Sequence, residues 1–258
     1  MYNFFDFCTN IPNKYVFTNF GIAHICAILI TFLTIFIGLI LLKILSSNNQ
    51  KNTIKILALL VPIVEITHNI WLYFVNNAKI VELLSLHLCG LQMYFIPLAV
   101  FTKVIVFKDF IFATSILGGI FGIIFPSGVS GSYPIWHFQT IQTFIYHGLL
   151  ILVPLAILFT TDYRPTLTRF HKVVGLFLII AFVDLYVDLT FNQNYLFLVT
   201  SPEMPLLRNI QLNYGTLPYL IFTFFALLFI CICIHIPFDL YQKKHNVLKS
   251  IEKKEALV

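Results

Sequence analysis

The chain has 258 residues, of which 59% are hydrophobic and 10% charged, with 16 Lys and Arg against 11 Asp and Glu for a formal net charge of +5. Apolar content on this scale excludes a water-soluble globular domain and makes lipid the solvent. The basic excess does not mark a nucleic-acid partner, because the positive residues are dispersed among the segments between apolar runs.

Residues 1–19, with Phe4, Phe5, Phe7, Tyr15 and Phe17, read as an interfacial segment on the outer surface. The apolar runs after it predict seven spanning helices, at about 20–45, 54–75, 83–101, 109–126, 137–160, 171–191 and 214–236, each near the ~20 residues that a hydrocarbon core requires. A β-barrel needs strict alternation of apolar and polar residues, which runs such as Ile28-Leu29-Ile30 lack. The first run is too long for a cleavable signal peptide and reads as an uncleaved span. Thirteen of the 16 Lys and Arg fall in the 1–2, 3–4 and 5–6 connections and the C-terminal tail, and only Lys14, Lys79 and Arg208 fall on the other side. That asymmetry predicts an outer N-terminus and an inner C-terminus. Residues 1–258 are therefore expected to form one all-α domain, a seven-helix transmembrane bundle in a bacterial cytoplasmic membrane, with 238–258 as a basic cytoplasmic tail whose lysines meet anionic headgroups. The five cysteines have no disulfide-framework spacing; Cys8 is expected to be exposed, and Cys231 and Cys233 to be small core residues.

Against this background the polar residues stand out. An ionisable side chain in lipid costs roughly 2.5–3.5 kcal/mol on insertion scales and so faces protein or a wet cavity. Helix 2 carries Glu65, His68 and Asn69 on one face, since i, i+3 and i+4 are neighbours. Helix 3 begins with His87, Cys89 and Gln92, and helix 5 carries His137, Gln139, Thr143 and His147. Helix 6 has Asp184 and Asp188 one turn apart and leads to Asn194 and Tyr195. With the N-terminus outside, all of these lie toward the outer half and predict a polar cavity opening there. Interhelical hydrogen bonding, at about 0.6 kcal/mol per contact in one studied case, is the plainer account of Asn69, Gln139, Gln142 and Thr143. It accounts less well for the acids and histidines, because such bonding does not require charge.

Cys89 and His147 are the candidate catalytic residues. A thiol becomes a nucleophile as thiolate, and a nearby imidazole is a common way to obtain one. With Cys89 some six residues into helix 3 and His147 some ten into helix 5, their depths differ by roughly 6 Å, close enough to meet. Glu65, His68, His87, Gln92, Asp184, Asp188, Asn194 and Tyr195 are expected in supporting roles, with a carboxylate on one imidazole nitrogen fixing the tautomer of His147. No metal or other cofactor is expected, although Glu65-x-x-His68 keeps a metal-bound bundle, such as a zinc-dependent seven-helix lipid hydrolase, open as an alternative. A small-solute carrier or sensor is the other alternative, disfavoured by the lack of an inverted repeat.

Three blocks carry a family resemblance. They are Leu84-Ser85-Leu86-His87-Leu88-Cys89 with Ile96-Pro97-Leu98, then Phe138 through Gly148 with Val153-Pro154-Leu155, then Asn194-Tyr195-Leu196-Phe197-Leu198 with Pro202 and Gly215-Thr216-Leu217-Pro218-Tyr219. In this order they resemble the YwaF-type integral membrane proteins. Leu217 stands where that pattern has tryptophan, and Ser201 where it has lysine. The resemblance implies acyl transfer: eukaryotic relatives include an acyltransferase that remodels ethanolamine ether phospholipids, whose nucleophilic cysteine and histidine match Cys89 and His147. It implies membrane phospholipids and lysophospholipids as partners.

Overall fold

The structure is a computed structural model that describes residues 2–202 and 204–255, with side chains described as far as Leu240. The regular structure among the described residues is all helical, and the chain divides into two compact units, Met1–Asp162 and Tyr163–Val258.

The first unit holds five α-helices: α1 (Ile22–Ile44), α2 (Ser47–Asn76), α3 (Gln92–Phe101), α4 (Ile105–Ile124) and α5 (Phe138–Thr160). Its core is the α4/α5 pair, where about two-thirds of each spanning window is buried against 11% for α1. The reason is composition. Along α4, Ala113, Thr114, Ser115, Gly118 and Gly119 are all buried, and such small residues let neighbouring backbones approach closely. At Gly119 the approach is so close that a Cβ would meet Ile151 Cγ1 at 2.6 Å and the His147 carbonyl oxygen at 2.9 Å. The Ser115 hydroxyl adds a polar tie between the two helices, donating to the Leu150 carbonyl at 2.6 Å. On the far side of α5, an apolar cavity of about 460 Å³ lies against α1, lined by residues such as Ala27, Thr31, Phe144 and Gly148.

Residues 2–17 fold back over one end of this unit. Phe5 and Phe4 carbonyls accept from Trp71 Nε1 and Phe138 N at 2.9 and 3.1 Å, and Phe17 exchanges backbone bonds with Tyr133 and Gly131. Ile11, Phe17, Trp71, Val129 and Tyr133 form the cluster beneath, with Cys8 packed against it. The aromatic residues of the N-terminal segment thus cap the bundle. Cys8 is half-buried rather than exposed, while Cys26 and Cys233 are the exposed ones and Cys231 is buried.

The second unit contains α6 (Phe170–Phe191), α7 (Pro205–Tyr214) and α8 (Thr216–Glu255). A ten-residue α7 was not foreseen. It is short and amphipathic, with Pro205 at its first turn and Gly215, at φ +89°, making the corner into α8. The expected lipid contacts of the tail lysines concern side chains outside the described ones.

Among the described residues six helical segments are long and apolar enough to cross a membrane: Ile22–Ile44, Ser47–Asn76, Ile105–Ile124, Phe138–Thr160, Leu167–Phe191 and Thr216–Leu240. The expected third span is the exception. In place of a helix over 83–101, a 3-10 turn covers Ile80–Leu83, irregular backbone covers 84–91, and α3 begins only at Gln92. Ten residues at 1.5 Å each reach about 15 Å, half of a hydrocarbon core. The helix is broken where Ser85 adopts φ +50°, a conformation that residues with a Cβ adopt as single positions and not in helices. Non-helical backbone in an apolar setting persists where protein satisfies it, and here the Asn69 amide donates to the Leu83 carbonyl and the Tyr94 hydroxyl to the Leu84 carbonyl.

Candidate functional site

Cys89 therefore lies not inside a helix but in the last turn before α3, on a segment tied to its surroundings at several points. The Ser85 hydroxyl donates to Glu65 Oε1 at 2.8 Å and accepts from Asn69 Nδ2 at 3.1 Å; the same amide donates to the Leu83 carbonyl at 3.0 Å. Gly90 packs so tightly on Ser85 that a Cβ there would overlap the Ser85 carbonyl oxygen. The Cys89 carbonyl accepts from the Tyr146 hydroxyl of α5 at 2.9 Å. The turn is thus fixed to α2 through Ser85 and to α5 through Tyr146.

The thiol itself rests on α4. Cys89 Sγ donates to the Gly118 carbonyl at 3.5 Å, and a Cβ on Gly118 would stand 3.1 Å from the sulfur. His147 meets the same helix one turn on: a Cβ on Gly122 would overlap Cδ2 and Nε2 of its ring. Gln92 meets it one turn earlier, its Nε2 donating to Thr114 Oγ1 at 3.1 Å and to the Leu88 carbonyl at 2.9 Å. Thr114, Gly118 and Gly122 are spaced i, i+4, i+8, so Gln92, Cys89 and His147 stand in a row along one face of α4, with steps of about 6 Å. No hydrogen bond joins Cys89 to His147 among the described residues; what they share is a wall of two glycines.

The imidazole is oriented by backbone and not by an acid. His147 Nδ1 lies 2.8 Å from the Thr143 carbonyl. A carbonyl only accepts, so Nδ1 carries the proton in this contact and Nε2 keeps its lone pair on the edge facing Gly122. The expected carboxylate partner is replaced by the helix's own carbonyl. Glu65 serves the cysteine side instead: it is buried, held by Ser85 and Gln142, and within electrostatic reach of Cys89, Tyr94 and Tyr146.

The other expected residues have separate places. His68 stacks on Trp71, with centroids 6.1 Å apart, beneath the N-terminal cap, and interacts with Gln139. His87 is exposed on the turn, away from the buried face that Cys89 presents to Gly118. His137 is fully buried at the start of α5, where its Nδ1 accepts from Gln139 N at 3.2 Å and its ring stacks on Tyr133. Burial pushes this imidazole down from its ordinary value, with the Asp6 backbone opposing.

In the second unit Asp184 and Asp188 organise the loop that follows α6. Both Asp188 oxygens accept from Tyr195 N, at 3.1 and 3.2 Å, and Asp184 Oδ2 accepts from Leu196 N at 3.0 Å. Asn194 closes the same loop: its Oδ1 accepts from Val199 N and Thr200 N, and its Nδ2 donates to the Thr200 carbonyl at 2.7 Å. Tyr195 is buried, and the Tyr219 hydroxyl donates to the Phe197 carbonyl at 2.8 Å. These residues shape a loop in which Asn192 and Phe197 both have positive φ.

Among the described residues no group of three His, Cys, Asp or Glu side chains is placed to hold a metal ion. His68, His87 and His147 are on three different surroundings and do not converge. The Gly118/Gly122 wall and Tyr146 were missed by sequence reasoning. The glycine spacing on an apolar helix was the available signal, but small residues at that interval are as frequent at plain helix contacts.

An all-α chain with about six membrane-crossing helices is a multi-pass membrane protein. More particularly, a family model described as the TMEM164 family matches residues 19–236, and the chain belongs to that family. No curated protein and no solved structure matches it.

Proposed function

We propose that this protein is a membrane-embedded acyltransferase acting on glycerophospholipids, with Cys89 as nucleophile and His147 as general base and acid. The observation that carries the reading is the shared α4 wall, where the thiol rests on Gly118 and the imidazole on Gly122. The resemblance of the three motif blocks to YwaF-type proteins and their Cys/His acyltransferase relatives supports it. So does the tautomer of His147, whose free Nε2 is the nitrogen a base requires.

In the reaction, Cys89 sulfur attacks the acyl carbonyl carbon of a phospholipid ester as its proton passes to His147 Nε2. The carbon–sulfur bond forms, the ester carbon–oxygen bond breaks, and His147 returns the proton to the departing lysophospholipid oxygen. A second lysophospholipid, or water, then gives its hydroxyl proton to His147 and attacks the thioester. The acyl–oxygen bond forms, the carbon–sulfur bond breaks, and the sulfur recovers the proton. Rotation of the thiol away from the Gly118 carbonyl toward Nε2 precedes the first step. The distribution of Lys and Arg supports an outer N-terminus and aromatic cap, and we infer a bacterial cytoplasmic membrane as the setting.

The test is turnover by the full-length protein in vesicles carrying acyl-labelled phospholipid and an unlabelled lysophospholipid acceptor. Label should appear in the acceptor with wild type and be lost with Cys89→Ala and with His147→Ala. Unchanged transfer by Cys89→Ala removes the nucleophile, and activity abolished by a chelator favours the metal-dependent hydrolase.

A further inference from the structure

The bond from the Tyr146 hydroxyl to the Cys89 carbonyl joins the residue next to the base with the residue that carries the thiol. Tyr146 is only 2% exposed, so its hydroxyl is withdrawn from any bulk competitor. Its ring stands edge-on to the His147 ring, with centroids 5.6 Å apart and planes at 88°. The Cys89 carbonyl also accepts from Gln92 N at 3.0 Å, so it keeps a partner when the tyrosine hydroxyl is removed. What is lost with that hydroxyl is the cross-link to α5, not the satisfaction of a buried group.

We infer that Tyr146 is a positioning residue, which sets the place of Cys89 relative to His147 by holding the Cys89 main chain to the helix that bears the imidazole. The inference deepens the acyl-transfer reading and rests on it for the chemistry of the pair. The thiol has to swing from the Gly118 carbonyl toward His147 while its main chain stays still. The other ties of the turn run to α2, through the Ser85 hydroxyl to Glu65 and Asn69, and to α4, through the Cys89 thiol and Gln92; they reach α5 only through Glu65 and its neighbour Gln142, at a remove from residue 89. Tyr146 alone among the described hydrogen-bonding side chains spans that gap directly at residue 89.

The experiment follows the reactivity of the thiol and needs no substrate. Full-length protein in phosphatidylcholine vesicles is treated with N-ethylmaleimide over a range of pH, and alkylation of the Cys89 peptide is timed by mass spectrometry. Wild type should react faster than His147→Ala, and the difference is the His147-dependent rate. Tyr146→Phe should lower that dependent rate by at least about tenfold, since misplacements near 1 Å cost up to 10²-fold. Tyr146→Phe/His147→Ala should be no slower than His147→Ala. Ser85→Ala, which loosens the turn from α2, should lower thermal stability and keep most of the His147-dependence. If Tyr146→Phe does not accumulate folded, Tyr146→Met is read on the same criteria.

A Tyr146→Phe protein that alkylates like wild type while His147→Ala is slow overturns the inference and leaves the acyl-transfer reading standing. Equal collapse in Ser85→Ala also overturns it, because the effect is then general loosening. A wild-type rate indifferent to His147 removes the pair and the inference together. The expected alkylation pattern without acyl transfer in vesicles overturns the acyl-transfer reading and leaves the positioning role intact.

Discussion

Replacing Gly122 by alanine should disable the site without touching either member of the pair. The new methyl group would occupy the space of His147 Cδ2 and Nε2. His147 cannot yield by sliding along its helix, since Nδ1 is bonded to the Thr143 carbonyl and its own carbonyl is packed on Gly119. The ring must rotate or α5 must lift, by on the order of 1 Å or more. A displacement of that size costs roughly 10²-fold in rate, and overpacking a tight contact costs about 1–3 kcal/mol in stability. Two other glycines calibrate the effect. Gly118→Ala brings a methyl to 3.1 Å from the Cys89 sulfur, a contact that a few tenths of an ångström relieve, so its loss should stay within about tenfold. Gly175→Ala on α6 meets nothing within 4 Å and should gain about 0.5–1 kcal/mol of helix stability. Transfer of labelled acyl chain and thermal unfolding in detergent, measured on all three, should rank Gly122→Ala as the most damaging. Wild-type transfer and stability in Gly122→Ala would refute the placement of the imidazole on α4.

The N-terminal cap should weaken on acidification. His137 is buried neutral with its pKa held below the ordinary 6.5, so between the lowered value and 6.5 the unfolded segment binds more protons than the folded one and stability falls as pH falls. Hydrogen exchange of residues 2–17 should therefore quicken between about pH 7 and 5, and His137→Asn, which keeps a capping acceptor for Gln139 N, should flatten the dependence. In the second unit, Asp188→Ala leaves the Tyr195 amide buried without its two carboxylate bonds, at a cost of roughly 1–3 kcal/mol. Exchange across residues 192–201 should rise with it while α6 itself stays protected; unchanged exchange would mean that the loop is held by other contacts.

Length and hydropathy made most of the helices legible. Spans ending at Ile44, Thr160 and Phe191 lie within a residue or two of those expected, because lipid demands long apolar runs and the ends are marked by polar or loop-forming residues. The third span was not legible. Residues 83–91 are as apolar as a helix, and the break depends on Ser85 finding Glu65 and Asn69 on another element. A single sequence does not display a long-range partner of that kind. α7 escaped for the opposite reason: Pro205 to Tyr214 is too polar and too short to register beside the spans around it. For the site, residue types were visible and geometry was not. Cys89 and His147 drew notice as ionisable groups in apolar surroundings, while the Gly118 and Gly122 wall consists of the absence of side chains. Asp184 and Asp188 drew the same notice, and their carboxylates hold loop amides.

Acylation of Cys89 is the step on which the whole mechanism depends. Full-length protein is incubated in vesicles with a phospholipid of defined acyl chain, quenched, digested and examined by mass spectrometry, with and without neutral hydroxylamine. The peptide containing Cys89 should gain the mass of that acyl chain, hydroxylamine should remove it as expected of a thioester, and lysophospholipid acceptor should deplete it. His147→Ala should show no adduct at Cys89. Transfer that proceeds with Cys89 unmodified at every time point, or an adduct that forms equally well without His147, would contradict the mechanism.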